Sequence, residues 1–122
     1  MGRSFKRFED IQAWQKARLL VNHIYELFST EKFSREFILK DQLVRASISS
    51  MTNIAEGFSR NSDKDFAHFL DIASASASEV QSLMYVLKDR ALILEEKFQE
   101  LYNMANEVGA MCYGLKRYLR ST

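Results

Sequence analysis

Apolar residues recur at steps of three and four along almost the whole chain, and not one proline interrupts them. That period gathers side chains on one face of an α-helix, because successive residues turn by about 100°. Only four glycines occur in 122 residues, too few for the many turns of an all-β domain. The chain reads as all-α. Its length suits a single domain, 1–122, that buries its own core without metal or disulfide staples.

Four helices follow from the pattern, over roughly 10–29, 35–60, 63–91 and 95–119. In the first, Ile11, Trp14, Ala17, Val21, Ile24 and Phe28 form the stripe, with Glu9 and Asp10 at the positive end of the dipole. Ser34 is the expected N-cap of the second, and Phe33 the expected cover of the bundle end. Gly57 can end that helix as a C-terminal glycine, but the favoured reading runs it through Phe58 and breaks it at Asn61. Ser62-Asp63-Lys64-Asp65 is the clearest start, a capping box with Asp in place of Glu. The third helix carries Phe66, Phe69, Leu70, Ala73, Ala77, Val80, Leu83, Met84 and Leu87. Its middle, Ala73 to Ser78, is small on every side and invites close approach by a neighbour. No Gly or Pro marks the third turn, placed at 91–94 by a change of phase. Phe98, Leu101, Tyr102, Ala105, Val108, Cys112, Leu115 and Leu119 line the fourth helix, which Gly109 and Gly114 weaken by ~1 kcal/mol each relative to Ala. Short connections between long helices imply an antiparallel up-down-up-down bundle.

The second helix is unusual. Leu39, Leu43, Ala46, Ser50, Ile54 and Gly57 line one side, and Val44, Ile48, Met51, Ala55 and Phe58 line nearly the opposite one. A helix apolar on two sides is buried on both. One side suits the bundle, so Val44, Ile48, Met51 and Ala55 are the expected subunit interface of a homo-oligomer, with the small-residue strip of the third helix as the alternative. Between the two runs a polar stripe of Gln42, Arg45, Ser49, Thr52, Asn53 and Glu56. Arg45 and Glu56 lie about 16 Å apart along the helix, so each is expected to find a partner elsewhere, with Glu79 of the third helix a candidate mate for Arg45. Short polar side chains suit a packed contact; the alternative is an ordinary solvated face.

Catalytic chemistry finds no foothold. His23 and His68 are the two histidines, and Asp65-x-x-His68 stands alone where a di-iron bundle needs paired Glu-x-x-His motifs. Cys112 lies on an apolar stripe and reads as a buried structural thiol. No phosphate loop or nucleophile elbow is present. The chain is read as no enzyme, with no catalytic, cofactor or metal residues. No apolar run spans a bilayer and no secretory signal opens the chain, so the expected location is cytoplasmic, without a membrane partner. A net charge of +1 makes no general case for nucleic acid. Yet one end of an up-down bundle collects Arg3, Lys6, Arg7, Arg60, Lys64, Lys116, Arg117 and Arg120, near Phe5, Phe8, Tyr113 and Tyr118. A basic pole with aromatics suits RNA or DNA, although Glu9, Asp10, Asp63 and Asp65 dilute it.

Three motifs carry a family resemblance. Gln42-x-x-Arg45-Ala46-x-x-Ser49-x-x-x-Asn53-Ile54-Ala55-Glu56-Gly57 resembles the signature of the four-helix-bundle proteins encoded in 23S ribosomal RNA intervening sequences. Phe8-x-Asp10-Ile11-x-Ala13-Trp14-Gln15-Lys16-Ala17 is similar to that family's opening, and Phe66-x-x-Phe69-Leu70-x-Ile72-Ala73-x-x-Ser76-x-x-Glu79 to its third helix. Ser29 and Met51 stand where the family often has proline, and the second change implies a straighter helix. The resemblance implies a ring-like homo-oligomer, a pentamer, and kinship with the accessory variability proteins of diversity-generating retroelements, which bind nucleic acid and a protein partner. It implies no catalytic residues. The opposing reading is an assembly scaffold or protein-binding module without nucleic-acid affinity.

Overall fold

In the computed structural model, which describes residues 5–29 and 35–121, four helices form a bundle. A 3-10 turn, Phe8–Asp10, precedes α1 (Gln12–Leu27), α2 (Phe37–Phe58), α3 (Asp63–Asp89) and α4 (Glu95–Arg120). The order around the bundle is α1, α2, α3, α4, with α3 packed most extensively on its two neighbours. Contacts between the helices give their directions. Ser49 meets Ser76, and Gly57 meets Phe66, so α2 and α3 run oppositely. Lys116 pairs with Asp71, and Lys88 with Glu95, so α3 and α4 do too. Lys16 reaches Glu107 across the α1–α4 seam.

The helix ends show why these segments start and stop where they do. Asp10 does not head α1. Its carboxylate accepts from the backbone N–H groups of Lys6 and Arg7 at 3.2 Å and so closes the 3-10 turn, leaving Ile11 at the N-cap. Gln15 ties that turn to the helix by donating to the Glu9 carbonyl. The expected caps Ser34 and Phe33 lie outside the described residues; Glu36 precedes α2, which begins at Phe37 rather than 35. Ser62 caps α3, its hydroxyl accepting from the Asp65 N–H at 3.1 Å.

The α3–α4 turn contains the one non-glycine residue with positive φ among those described, Ala91 at 57°. The Ala91 N–H donates to the Lys88 carbonyl and the Leu92 N–H to that of Leu87, the paired bonds of a Schellman close. Such a close usually holds glycine at this position. Lys88 then bridges to Glu95 at 3.2 Å and lies over the Phe98 ring at 4.6 Å, tying both sides of the turn.

The core runs the length of the bundle: Trp14, Leu20 and Ile24 from α1, Leu43 and Ile54 from α2, Phe66, Leu70, Val80, Met84 and Leu87 from α3, and Phe98, Leu101, Val108 and Cys112 from α4. Midway, Ala73 and Ala77 are fully buried, and the small segment of α3 takes close neighbours on both flanks. A Cβ on Gly109 of α4 would sit 3.5 Å from Ser74 Oγ, an ordinary contact. Gly57 is tighter: a Cβ there would lie 2.7 Å from Phe69 Cβ and 2.9 Å from Phe66 Cδ1. Its role is to let α2 lean on the start of α3, not to end the helix, which continues through Phe58.

Two substitutions separate these effects in a thermal melt. Gly57→Ala forces the phenylalanines aside and lowers stability by about 1–3 kcal/mol. Ala91→Gly relieves the left-handed backbone and raises stability by about 1 kcal/mol, several degrees in Tm for a domain of this size.

Candidate functional site: a divided polar stripe and a basic pole

The polar stripe on α2 divides into two parts. Arg45, Thr52 and Glu56 are exposed, as is Gln42, while Ser49 and Asn53 are half-buried toward α3. Asn53 Nδ2 donates to the Ser49 carbonyl at 2.9 Å and to Ser49 Oγ at 3.0 Å. Ser49 Oγ in turn shares a 2.8 Å hydrogen bond with Ser76 Oγ of α3. These are the short polar groups in a packed contact. The charged members behave differently. Arg45 Nε donates to Asp41 Oδ2 at 3.0 Å, and Arg60 to Glu56 at 3.0 Å, each one turn away on or beside the same helix. The Arg45–Glu79 pairing is therefore corrected: an acid four residues before Arg45 meets it without crossing to α3, and Glu79 is exposed. Neither charge needs a distant mate. Both pairs are solvent-exposed, so each contributes only about 0.3–0.5 kcal/mol.

The second apolar side of α2 also reads differently in three dimensions. Val44, Ile48, Met51 and Ala55 are half-buried, neither sealed nor bare. Val44, Met51 and Ala55 pack against the edge of the core, forming a shoulder beside α1 rather than a fully separate face. Ser47 and Ser50, fully buried, complete the inner face and donate to the carbonyls of Val44 and Ser47 within their own helix, which keeps each hydroxyl hydrogen-bonded in an apolar seam.

The largest exposed apolar groups were not singled out by periodicity. Phe37 (72% exposed), Ile38 (75%) and Leu94 (77%) stand at the end of the bundle where α2 and α4 begin. Tyr25, Phe37, Lys40, Asp41 and Val44 line a shallow depression there, which joins Phe37 to the α2 shoulder. The signal was available: Phe37-Ile38-Leu39 is three apolar residues in a row, and a helix cannot turn all of them inward.

The opposite end holds the basic residues. Arg3 lies outside the described residues. Arg7 bonds Glu9 at 2.6 Å, and that hydrogen bond holds the Glu9 carboxyl below the usual carboxylate range. Arg60 engages Glu56 and lies over the Phe69 ring at 4.7 Å. Lys116 bonds Asp71 at 2.8 Å. Three of the expected cations are thus matched by carboxylates of this chain. Lys6, Lys64, Arg117 and Arg120 are exposed or nearly so, with no carboxylate in ion-pair range among the described residues. The aromatics divide too: Phe8 turns in against Trp14 and Phe5 packs on the core, whereas Tyr113, with Arg117 above its ring at 5.9 Å, and Tyr118 are exposed.

No group of three His, Cys, Asp or Glu side chains among the described residues is placed to hold a metal ion. Cys112 is buried in the core, and burial pushes its thiol up to about 12. No described helix is long and apolar enough to cross a membrane.

The family model described as 23S rRNA-intervening sequence protein matches residues 9–114. The chain belongs to that family. A crystal structure of a protein of unknown function from the S23 ribosomal protein family of Bacteroides thetaiotaomicron superposes with a TM-score of 0.78 at 23% identity, covering 85% of this chain and 97% of that one. At that identity it speaks for the four-helix fold. No curated protein matches the chain.

Two measurements test this arrangement. In a double-mutant cycle of Ser49→Ala and Ser76→Ala, denaturant melts return a coupling of about 1 kcal/mol; additive losses would mean the two hydroxyls do not cooperate. Because the raised thiol is lost only as a thiolate well above neutral pH, native Cys112 stays unmodified by a thiol reagent at pH 8, and reacts fully once denaturant is added.

Proposed function

We propose that this chain is a non-enzymatic, cytoplasmic protein that assembles with copies of itself and binds RNA or DNA through its basic pole, or through a channel that the poles line when the copies close into a ring. One observation carries the reading: the most exposed apolar side chains stand at one end of the bundle, beside Arg35, Lys40 and Arg90, while the other end gathers exposed cations next to two exposed tyrosines. Tyr25, Phe37, Ile38 and Leu94 crowd one end. Lys64, Arg117 and Arg120, with Tyr113 and Tyr118, occupy the other. Covering a large apolar side chain contributes about 1.5–3 kcal/mol. Phe37, joined to Val44 by the shared depression, and the half-buried Ile48, Met51 and Ala55 on the same side of α2 therefore supply apolar surface for a subunit interface. A pentamer is the assembly the family resemblance favours.

Assembly also answers the objection from charge. One copy carries a net charge of +1 and offers few unmatched cations. A cyclic ring places every basic pole on the same side, and linked sites gain affinity through effective concentration. The second reading is a scaffold or protein-binding module with no nucleic-acid affinity. It draws on the pairing of Arg7, Arg60 and Lys116 with Glu9, Glu56 and Asp71.

Light scattering and a labelled-RNA shift separate them. Phe37→Asp reduces the assembled mass to that of a single copy while the helical circular dichroism is kept. The wild-type assembly binds single-stranded RNA with strong salt dependence, and Arg117→Gln with Arg120→Gln lowers the log–log salt slope by about 1.4 per bound subunit. Binding unchanged by those substitutions removes the basic pole from the mechanism, and no binding at low salt leaves the scaffold reading.

A further inference from the structure

At the basic pole a depression of about 440 Å³ opens between the first turns of α3 and the last turn of α4. Lys64 and His68 are four residues apart on α3, so they stand one above the other along its wall. Arg120 reaches the same hollow from α4. Ala67 and Leu119, both buried, form an apolar floor. Two carboxylates share the lining, and both have local work. Asp71 pairs with Lys116 at 2.8 Å, so its charge is already answered. Asp63 lies in the first turn of α3, where it complements the helix dipole. Two cations thus share the lining with two carboxylates, one of which is already neutralised by Lys116, and the imidazole adds an N–H donor in either protonation state.

We infer that this hollow receives the terminal phosphate of a nucleic-acid strand, with Lys64 and Arg120 as its charged ligands and His68 as a hydrogen-bond donor. The inference rests on the nucleic-acid reading above and narrows it to one chemical group. Shape distinguishes an end from an internal linkage. An internal phosphodiester continues in both directions and suits an open stripe of cations, such as Arg117 beside Tyr113 offers. A terminal phosphomonoester projects from the strand, carries up to two negative charges and can enter a hollow, its sugar resting on the floor made by Ala67 and Leu119. Arg120 can meet it with two parallel N–H groups, and Lys64 with a point charge.

Fluorescence anisotropy on the full chain tests the assignment with single-stranded RNAs of one sequence, ending in phosphate or in hydroxyl at the 5′ or the 3′ end. The readout is the ratio of affinities, phosphate-ended over hydroxyl-ended. The wild type gives a ratio of about ten at one of the two ends. Lys64→Gln or Arg120→Gln brings the ratio close to one. Arg117→Gln, outside the hollow, weakens both RNAs and keeps the ratio. All three residues are exposed, and unchanged melting curves show that each variant folds. Inorganic phosphate, added as competitor, erases the preference without displacing the hydroxyl-ended RNA. A wild-type ratio of one, with both RNAs bound, overturns the hollow while leaving the basic-pole reading intact. Failure to bind either RNA overturns both. Tight binding of inorganic phosphate alone, with no preference between RNA ends, assigns the hollow to the free ion and overturns the inference.

Discussion

The separation between α2 and α3 sets the geometry of everything else. Where α2 ends, the missing Cβ of Gly57 lets its backbone lie against Phe66 and Phe69 at a distance no side chain would permit. Along the middle, hydroxyls replace methyl-rich side chains, with Ser49 and Ser76 in direct contact. This nearness seats Phe66 in the core and presents Phe69 outward, where Arg60 covers its ring. It also positions the start of α3, and with it Lys64 and His68, against the end of α4. A wider spacing would dissolve the polar contact and the hollow together, since both depend on where α3 begins.

Helical periodicity carried most of the fold. The four spans, the Ser62 cap and the passage of α2 through Gly57 were legible because each rests on local chemistry: a side-chain period, a hydroxyl three residues before an amide, an apolar run that does not stop. The last turn was placed correctly but not explained. Ala91 occupies a backbone conformation that glycine normally fills, so the usual mark was missing. What periodicity could not resolve was partnership. A helical wheel shows Arg45, Ser49 and Glu56 as one stripe, but not that Asp41 and Arg60 answer the two charges while α3 takes the serine. Nor does it separate a fully buried side from a shoulder: Val44 and Ser47 stand only about 60° apart around α2, yet one is half-exposed and the other sealed.

The basic pole shows the same limit more sharply. Counting Lys and Arg at one end overstates the field there, because Arg7, Arg60 and Lys116 are matched by carboxylates of the same chain. Exposure and pairing decide which charges a ligand would meet, and these are properties of side-chain placement. The aromatics follow suit: Phe8 serves the core, while Tyr113 faces outward. Membership of the 23S rRNA-intervening sequence protein family accounts for the bundle.

The alternation of alanine and serine from 73 to 78 has one more consequence. A face so nearly featureless offers little to stop one rod from sliding along another, because each position resembles the next but one. Two detents break the degeneracy: the notch at Gly57 and the single hydroxyl pair at Ser49 and Ser76. Axial slip by a helical turn would drive the Phe66 ring into a helix that carries side chains there and strand Asn53 with its serine. Smoothness gives this bundle its compactness, and two small irregularities give it a unique alignment.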